Sequence, residues 1–421
     1  MRKVVFLKLL LACFIAFGQV RSTEELREIL NAEPKDSIKC LLLIELIEGE
    51  SNDNIWPKYN QQLFDISSKY IHDKNNITRL YYLKVYSDAI VNTGFHMQRN
   101  NKAQEALKKY HEALSIKLDI GDRRGVSTSL INIGFLFQDA QNFKKAIYYY
   151  NRALSVQNEI GDSSSAAITM INIANIAIRQ KDTTTFKSLT KKSLEYRIAI
   201  NDERGVAKCY NGLGVLALRE GNFKMAKDYL QMAIQLSKKS QDQEGLGNSY
   251  NNFGGLFVKQ NLYDSAIHYF NMALTLNSSL GHLRKESVTY NLMAGCYNAM
   301  GDYKNGLSCA NKSYQSAISN GNLEEQNNAA VSLIEAYRGL GDQKKADLYG
   351  DIVKKIKDSL GSFVPVRLED ISLDTVAASK PTLIAEASDP STESPVIKYT
   401  LGLLALLIIV VVWFLLKLKR K

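Results

Sequence analysis

Two stretches of the chain that lie three blocks of forty residues apart repeat one pattern of side chains. They read SLINIGFLFQDAQNFKKAIYYYNRAL at 129–154 and SYNNFGGLFVKQNLYDSAIHYFNMAL at 249–274. In each, a glycine (Gly134 or Gly254) interrupts an apolar run, and a polar turn then leads into a second run rich in aromatic residues. Self-similarity at a fixed spacing indicates an array of stacked structural units.

The spacing holds across most of the chain. From Gly121 the pattern divides 121–360 into six blocks of 40 residues without insertion or deletion, and a seventh block, 81–120, aligns in front. A small residue recurs in both halves of nearly every block, and small residues at matched positions let two helices pack closely. We therefore predict one pair of helices per block. In the first half the recurring residues are Gly94, Gly134, Ala174, Gly214, Gly254 and Ala294, with Ile334 in the last block; in the second half they are Ala106, Ala146, Ala226, Ala266, Gly306 and Ala346.

Polar residues and glycines punctuate the blocks at the same spacing. A side chain that can cap a helix N-terminus follows most block boundaries, and His282 is the exception. At four of the boundaries, a glycine that can end the preceding helix stands directly before this position. All six prolines lie outside residues 58–364, as an uninterrupted helical array requires. The predicted caps are Asp122, Asp162, Asp202, Asp242 and Asn322, and the glycines are Gly121, Gly161, Gly281 and Gly321.

The blocks resemble tetratricopeptide repeats of the longer, forty-residue kind, because small, large and aromatic positions recur together in register over 81–360. The resemblance implies an all-α, right-handed superhelical solenoid of helix-turn-helix repeats whose first helices line a concave groove. The proline that often ends the second helix in the shorter kind is missing. Block 161–200 departs most, with Phe186, Thr190 and Ser193 in place of small, large and small residues, so we expect looser or differently angled packing there.

The start of the chain, MRKVVFLKLLLACFIAFGQV, has the features of an export signal. Basic residues precede an apolar segment, and Ala16-Phe17-Gly18 suits cleavage before Gln19. We predict a signal peptide at 1–18. Two alternatives remain: a lipoprotein signal in which Cys13 is lipidated, and an uncleaved spanning helix, which Lys8 and the short apolar run both disfavour.

The other end holds a second targeting segment. YTLGLLALLIIVVVWFLL at 399–416 contains 18 uncharged residues. As a helix it would extend about 27 Å, close to the hydrocarbon thickness of a bilayer. We predict a transmembrane helix at 398–417 and a basic cytoplasmic tail at 418–421. The repeats of this single-pass membrane protein would then lie outside the cytoplasm, in the periplasm of a bacterium.

Two segments connect the repeats to these ends. Residues 19–80 contain apolar runs that predict helices at 23–32, 36–49 and 55–72, and they suit the N-terminal cap that a solenoid needs to cover its exposed end. Residues 361–397 hold four of the six prolines and several Ser, Asp and Thr residues, which predicts a flexible tether.

The charge distribution argues against nucleic acid as a partner. The formal charge is +10, but eight basic residues lie in 1–18 and 398–421, which contain no acidic residue. Residues 19–397 therefore carry 45 basic and 43 acidic side chains, which leaves no bulk positive charge to follow a phosphate backbone.

Motifs for catalysis, metals or cofactors are missing from the sequence. The five histidines form no paired-ligand spacing, and no glycine-rich phosphate loop follows a strand. His111-Glu112 superficially resembles a phosphoacceptor pair, but we assign it to the surface or to packing. Cys40, Cys209, Cys296 and Cys309 are scattered without a CxxC and are interpreted as structural. We expect no enzyme activity, no metal and no small-molecule cofactor.

Asparagines recur on the predicted first helices, although asparagine is a mediocre helix former. An amide offers both a donor and an acceptor, which suits it to the backbone of an extended peptide. The resemblance implies the same use, because longer tetratricopeptide arrays can hold peptides on an Asn-lined groove. Alternatively, some of these amides only bond between neighbouring helices or to turns. The predicted partner-binding residues are Asn132, Asn172, Asn175, Asn211, Asn251, Asn252 and Asn291, with Phe135 and Val215 as apolar groove residues.

Three classes of function follow from these features. The leading one is a membrane-anchored, extracytoplasmic scaffold that binds a protein or peptide in its concave groove. The second is the sensory half of an envelope signalling system, because an export signal, helical repeats and one spanning helix also resemble the front end of certain bacterial sensor kinases. An enzyme is the weakest, since a fold permits chemistry but a site must show it.

Overall fold

The computed structural model describes residues 22–50, 52, 54–361 and 368, all of which lie in one compact unit, Met1–Val376. Within these residues every regular element is an α-helix. Three helices precede the repeats: α1 (Thr23–Ala32), α2 (Asp36–Gly49) and α3 (Trp56–Ser68). They share a core with α4 (Asn76–Arg99), to which Leu43, Leu46 and Leu63 contribute. Helix α3 ends four residues before the predicted position, because the Lys69 N–H bonds to the Ile66 carbonyl and closes a tighter last turn.

Seven pairs of helices follow. The even-numbered members, α4 to α16, are called the first helices, and the odd-numbered members, α5 to α17, the second helices. The second helices and remaining first helices are α5 (Ala103–Asp119), α6 (Arg123–Asp139), α7 (Phe143–Glu159), α8 (Ser163–Arg179), α9 (Thr183–Ala199), α10 (Glu203–Arg219), α11 (Phe223–Lys239), α12 (Gln243–Lys259), α13 (Tyr263–Ser279), α14 (Leu283–Ala299), α15 (Tyr303–Ser319), α16 (Leu323–Gly339) and α17 (Gln343–Gly361). The predicted all-α repeat solenoid is confirmed.

The helix ends follow the predicted punctuation. An oxygen of the Asp122 side chain accepts a hydrogen bond from the Gly125 N–H at 3.0 Å, and Asp162, Asp202, Asp242 and Asn322 cap their helices in the same way. His282 provides no side-chain cap. Gly121 has a left-handed φ of 70°, and Gly161, Gly281 and Gly321 share this conformation. These bonds and turns satisfy backbone groups that helix ends would otherwise leave without partners.

Where the recurring residue of a first helix is glycine, it admits a large side chain from the second helix of the same pair. At Gly254 of α12, an added Cβ would lie 2.5 Å from Cε1 of Phe270, whose ring on α13 is fully buried. Gly134 stands in the same relation to Tyr150, with the nearest ring carbons at 2.8 Å. Glycine is therefore required in the pairs whose second helix places an aromatic ring against this position.

The predicted membrane segments fall outside the residues that the structure describes. This applies to the signal peptide at 1–18, the helix at 398–417, the tail at 418–421 and, apart from Gly361 and Leu368, the tether at 361–397. Among the helices that are described, none combines the length and apolar character needed to cross a bilayer.

Candidate binding surface on the first helices

Contacts between neighbouring repeats place the first helices on the inner side of the array. Direct contacts join α4 to α6, α10 to α12, α12 to α14 and α14 to α16. Within the described residues, no comparable contact joins successive second helices. Each second helix except the last instead contacts the first helix of the next repeat. Because the first helices lie closer together, the stacked repeats curve towards them.

Apolar side chains lie exposed on these helices. Phe135, predicted as a groove residue, is 44% exposed in the middle of α6, while Val215 on α10 is half-buried. Sequence reasoning missed further exposed residues of this kind. Phe95 could have been found from the forty-residue register, since it is equivalent to Phe135. The missed residues include Phe95 on α4, Ile168 on α8, Val288 on α14 and Val331 on α16.

Four of the seven predicted asparagines bond to a neighbouring first helix. The Asn251 amide donates to Oγ1 of Thr289 at 2.9 Å, and the Asn252 amide donates to Oδ1 of Asn211 at 3.0 Å. The Ser332 hydroxyl donates to Oδ1 of Asn291 at 2.8 Å. These bonds form a ladder from α10 to α16, so the alternative of amides bonding between helices applies here. Each amide has more than one donor and acceptor position, so the ladder does not use its whole capacity.

The other three asparagines stand apart from the ladder. Asn132 on α6 and Asn172 on α8 are half-buried, and Asn175 on α8 is exposed. No side-chain hydrogen bond joins any of them to another residue in the described part of the chain. Helix α8 also makes no contact with α6 or α10 comparable to those elsewhere in the array.

Phe186 gives a physical reason for this difference at α8. It stands on α9 at a register where other second helices have alanine or glycine, and its ring packs with Ala174 of α8 and Leu216 of α10. An added Cβ at Gly212 of α10 would lie only 3.4 Å from the Phe186 ring, so the ring reaches across to the next first helix. The bulky side chain thus occupies space between α8 and α10, in the block where the sequence predicted altered packing. Thr190 and Ser193 remain buried.

Charged groups near this surface are engaged in structural contacts. The Gln98 amide of α4 donates to the Asp139 carboxylate of α6 at 3.0 Å, while burial raises the pKa of Asp139. At the start of α12, the Lys285 ammonium donates to Glu244 at 2.7 Å and lowers the pKa of that carboxyl. Both contacts join neighbouring first helices and so stabilise the surface.

The described residues contain no candidate metal centre. They contain no group of three His, Cys, Asp or Glu side chains that could hold a metal ion. Cys40, Cys209, Cys296 and Cys309 are buried and unbridged. Burial raises the pKa of the Cys40 thiol to about 12 and that of Cys296 to about 11. Both thiols are therefore protonated near neutral pH, which makes them poor nucleophiles.

Comparison with known proteins supports the repeat assignment. Residues 87–159 and 210–279 match the family model described as tetratricopeptide repeat. The chain contains tetratricopeptide repeats in these segments, and the helix pairs continue the same architecture on either side. The comparison with curated proteins gives no match.

Several solved structures share the fold at low sequence identity. The apo form of the quorum sensor NprR from B. thuringiensis is 15% identical, covers 79% of this chain and 92% of its own, and has a TM-score of 0.55. The apo form of RapI is 15% identical, and the match covers 66% of this chain and 99% of the RapI chain, with a TM-score of 0.54. A Rap protein complexed with Competence and Sporulation Factor is 14% identical, and the match covers 80% of this chain and 97% of the Rap chain, with a TM-score of 0.52. At these identities the likeness concerns the fold alone.

Proposed function

We propose that this protein is a membrane-anchored, extracytoplasmic scaffold that binds a protein or peptide segment on the inner face of its first helices and does not catalyse a reaction. The observation that carries the proposal is the combination of exposed apolar side chains with half-buried or exposed amides on successive first helices. Phe135 and Ile168 offer apolar contacts, and Asn132, Asn172 and Asn175 offer hydrogen bonds beside them.

The spacing of the repeats suits an extended segment. Packed helices lie about 10 Å apart, which is the length of roughly three extended residues. From α10 to α16, where successive first helices are in direct contact, a bound segment would therefore meet an equivalent position of the next first helix about every three residues. Amides that bond its backbone would accept many sequences, while the apolar residues between them would select its side chains.

The surface around α6 and α8 is the preferred part of this face. Its amides are not tied into the ladder, so they keep their hydrogen-bonding capacity for a partner. From α10 to α16 the ladder fixes the orientation of Asn211, Asn251, Asn252 and Asn291, and a partner there would meet pre-oriented groups. Val215 adds apolar area between the two regions.

Related structures and the ends of the sequence support the remaining parts of the proposal. The Rap protein was solved in complex with Competence and Sporulation Factor, so one protein of this fold holds a partner molecule. Export and anchoring rest on the apolar segments at 4–17 and 399–416 and on the basic residues beside them. Together they favour a right-handed superhelical array held at the outer surface of the cytoplasmic membrane.

The second candidate is the sensory half of an envelope signalling system. It is favoured by the predicted order of export signal, repeats and spanning helix, and by the fold shared with the quorum sensor NprR. The two roles differ in the step after binding. A sensor must transmit binding across the membrane to a cytoplasmic partner, whereas a scaffold need only hold its partner.

Photo-crosslinking tests the proposal and captures the partner. Benzoylphenylalanine is introduced at position 135, where Phe135 is exposed, and as a control at position 148, where Tyr148 is exposed on the second helix α7. We expect irradiation of intact cells to give a discrete adduct from position 135 and none from position 148. Equal labelling at both positions, or an adduct only at 148, would place the binding surface elsewhere.

A further inference from the structure

One face of the second helix α5 is covered where the other second helices are open. His111 is 0% exposed. The residues that occupy its register in the other six repeats are exposed or, in one case, half-buried. Exposed counterparts are Asn151, Lys191, Gln231, Asn271 and Asp351, and the half-buried one is Asn311.

Neighbouring residues on this face show the same difference. Leu107 and Leu114, one turn to either side of His111, are fully buried, whereas no counterpart of either is buried in the other repeats. On the next second helix, α7, Tyr149 is buried and makes an edge-on contact with the His111 ring at a centroid distance of 6.1 Å. The equivalent tyrosines Tyr229, Tyr269 and Tyr349 are half-buried. Leu107, His111, Leu114 and Tyr149 are called the α5–α7 seam below.

The repeat packing itself does not explain this cover. Every second helix except the last packs on its own first helix and on the first helix of the next repeat, and α5 has these same neighbours, α4 and α6. Helix α3 packs on α2 and α4 and makes no comparable contact with α5 within the described residues. Packing between helices therefore gives α5 no cover that the other second helices lack.

Leu368 is the one described residue beyond Gly361, it is only 6% exposed, and it belongs to the apolar cluster that also contains Leu107, Leu114 and Tyr149. We propose that the α5–α7 seam is a docking site for an aliphatic side chain, and that its occupant is Leu368 of the same chain. Burial of a leucine against leucine and tyrosine side chains is favourable because it removes apolar surface from water on both partners.

The length of the connection limits the geometry. Leu368 follows Gly361 by seven positions along the chain, and seven steps span at most about 25 Å when fully extended. Docking within one chain therefore requires the end of α17 to lie within that distance of the seam. A second copy of the chain could deliver its Leu368 without this limit, which makes the origin of the occupant measurable.

Chemical modification of histidine tests the proposal in the full-length protein. Diethyl pyrocarbonate modifies accessible imidazoles, and mass spectrometry follows His111 and the exposed His268 of α13 in the same sample. We expect slow modification of His111 and fast modification of His268. Leu368→Asp should accelerate modification of His111 by at least about tenfold, because the apolar anchor is lost, and should leave His268 unchanged.

Leu348→Asp is the matched control, since Leu348 on α17 is 57% exposed and receives the same substitution. It should leave both histidines as in the wild-type chain. Equal protection of His111 in wild type and Leu368→Asp would overturn the proposal. So would equal acceleration by both substitutions, which would indicate a general loss of structure.

Crosslinking identifies the contact without removing it. Benzoylphenylalanine at position 368 of the full-length chain should form an intramolecular adduct with residues 103–159, which contain α5 and α7. Mixed isotope-labelled and unlabelled chains distinguish adducts within one chain from those between two. Adducts confined to other helices, or formed only between chains, would contradict docking of Leu368 in its own seam.

Discussion

Alanine substitutions at two adjacent glycines of α12 test how closely the two helices of a pair approach each other. At Gly254 a new Cβ would lie 2.5 and 2.7 Å from two carbons of the buried Phe270 ring, which has no room to move. Overpacking of this kind costs about 1–3 kcal/mol, and the better helix propensity of alanine offsets about 1 kcal/mol. Gly254→Ala should therefore lower the free energy of unfolding by up to about 2 kcal/mol.

Gly255 is the matched control because it occupies the next position of the same helix. Its new Cβ would meet only Cδ2 of Leu218, at 4.0 Å. Gly255→Ala should then raise the free energy of unfolding by about 0.5–1 kcal/mol, through helix propensity and a less flexible unfolded chain. Urea unfolding followed by far-UV circular dichroism measures both variants. A Gly254→Ala protein as stable as Gly255→Ala would refute the close contact between α12 and α13.

Three further predictions concern folding, topology and pH. A fragment covering 19–362 should be soluble and helical without the predicted membrane helix, since stacked repeats supply their own core; a circular dichroism spectrum of mostly coil would contradict this. Protease added to intact spheroplasts should digest the repeats and leave residues 417–421 protected. Survival of the repeats under conditions that digest a known outer control protein would contradict the predicted topology. Burial raises the pKa of Cys296 from the usual 9.0 to about 11, so the folded state retains a proton that the unfolded state releases. The stability that the protonated Cys296 thiol contributes is present below about pH 9 and is lost as the pH rises towards about 11. The melting temperature should therefore fall over this interval. It should fall less steeply in the Cys296→Ala variant, which lacks the thiol.

The local features of the fold follow directly from the sequence. Asp122 caps α6 because a carboxylate before a helix accepts the free N–H groups, and Gly254 faces Phe270 because only a glycine leaves room for the ring. Both effects act between residues at a fixed separation along the chain. A forty-residue register is therefore sufficient to predict them at most repeats, with His282 and Ile334 as the exceptions.

The candidate site was less predictable because it depends on distances between repeats. The register places asparagines on the first helices, but the sequence does not give the spacing that lets Asn252 reach Asn211 and leaves Asn172 outside the ladder. Phe186 was visible as a departure from the pattern, yet its reach to Gly212 required the structure. Leu368, which belongs to the same apolar cluster as Leu107 and Leu114, lies more than 250 positions later in the chain, and no local pattern indicates this long-range packing.

Calorimetric titration of the partner captured at position 135 tests the central claim, that the inner face is the binding surface. The full-length protein is compared with Asn132→Ala/Asn172→Ala and with a matched outer pair, Asn151→Ala/Asn271→Ala, whose asparagines are exposed on the second helices. Each lost hydrogen bond costs about 0.5–1.5 kcal/mol, so the inner pair should weaken binding by roughly five- to hundredfold. The outer pair should bind as the wild type does. An unchanged dissociation constant in a folded inner-pair variant, or an equal loss in the outer pair, would contradict the proposed surface.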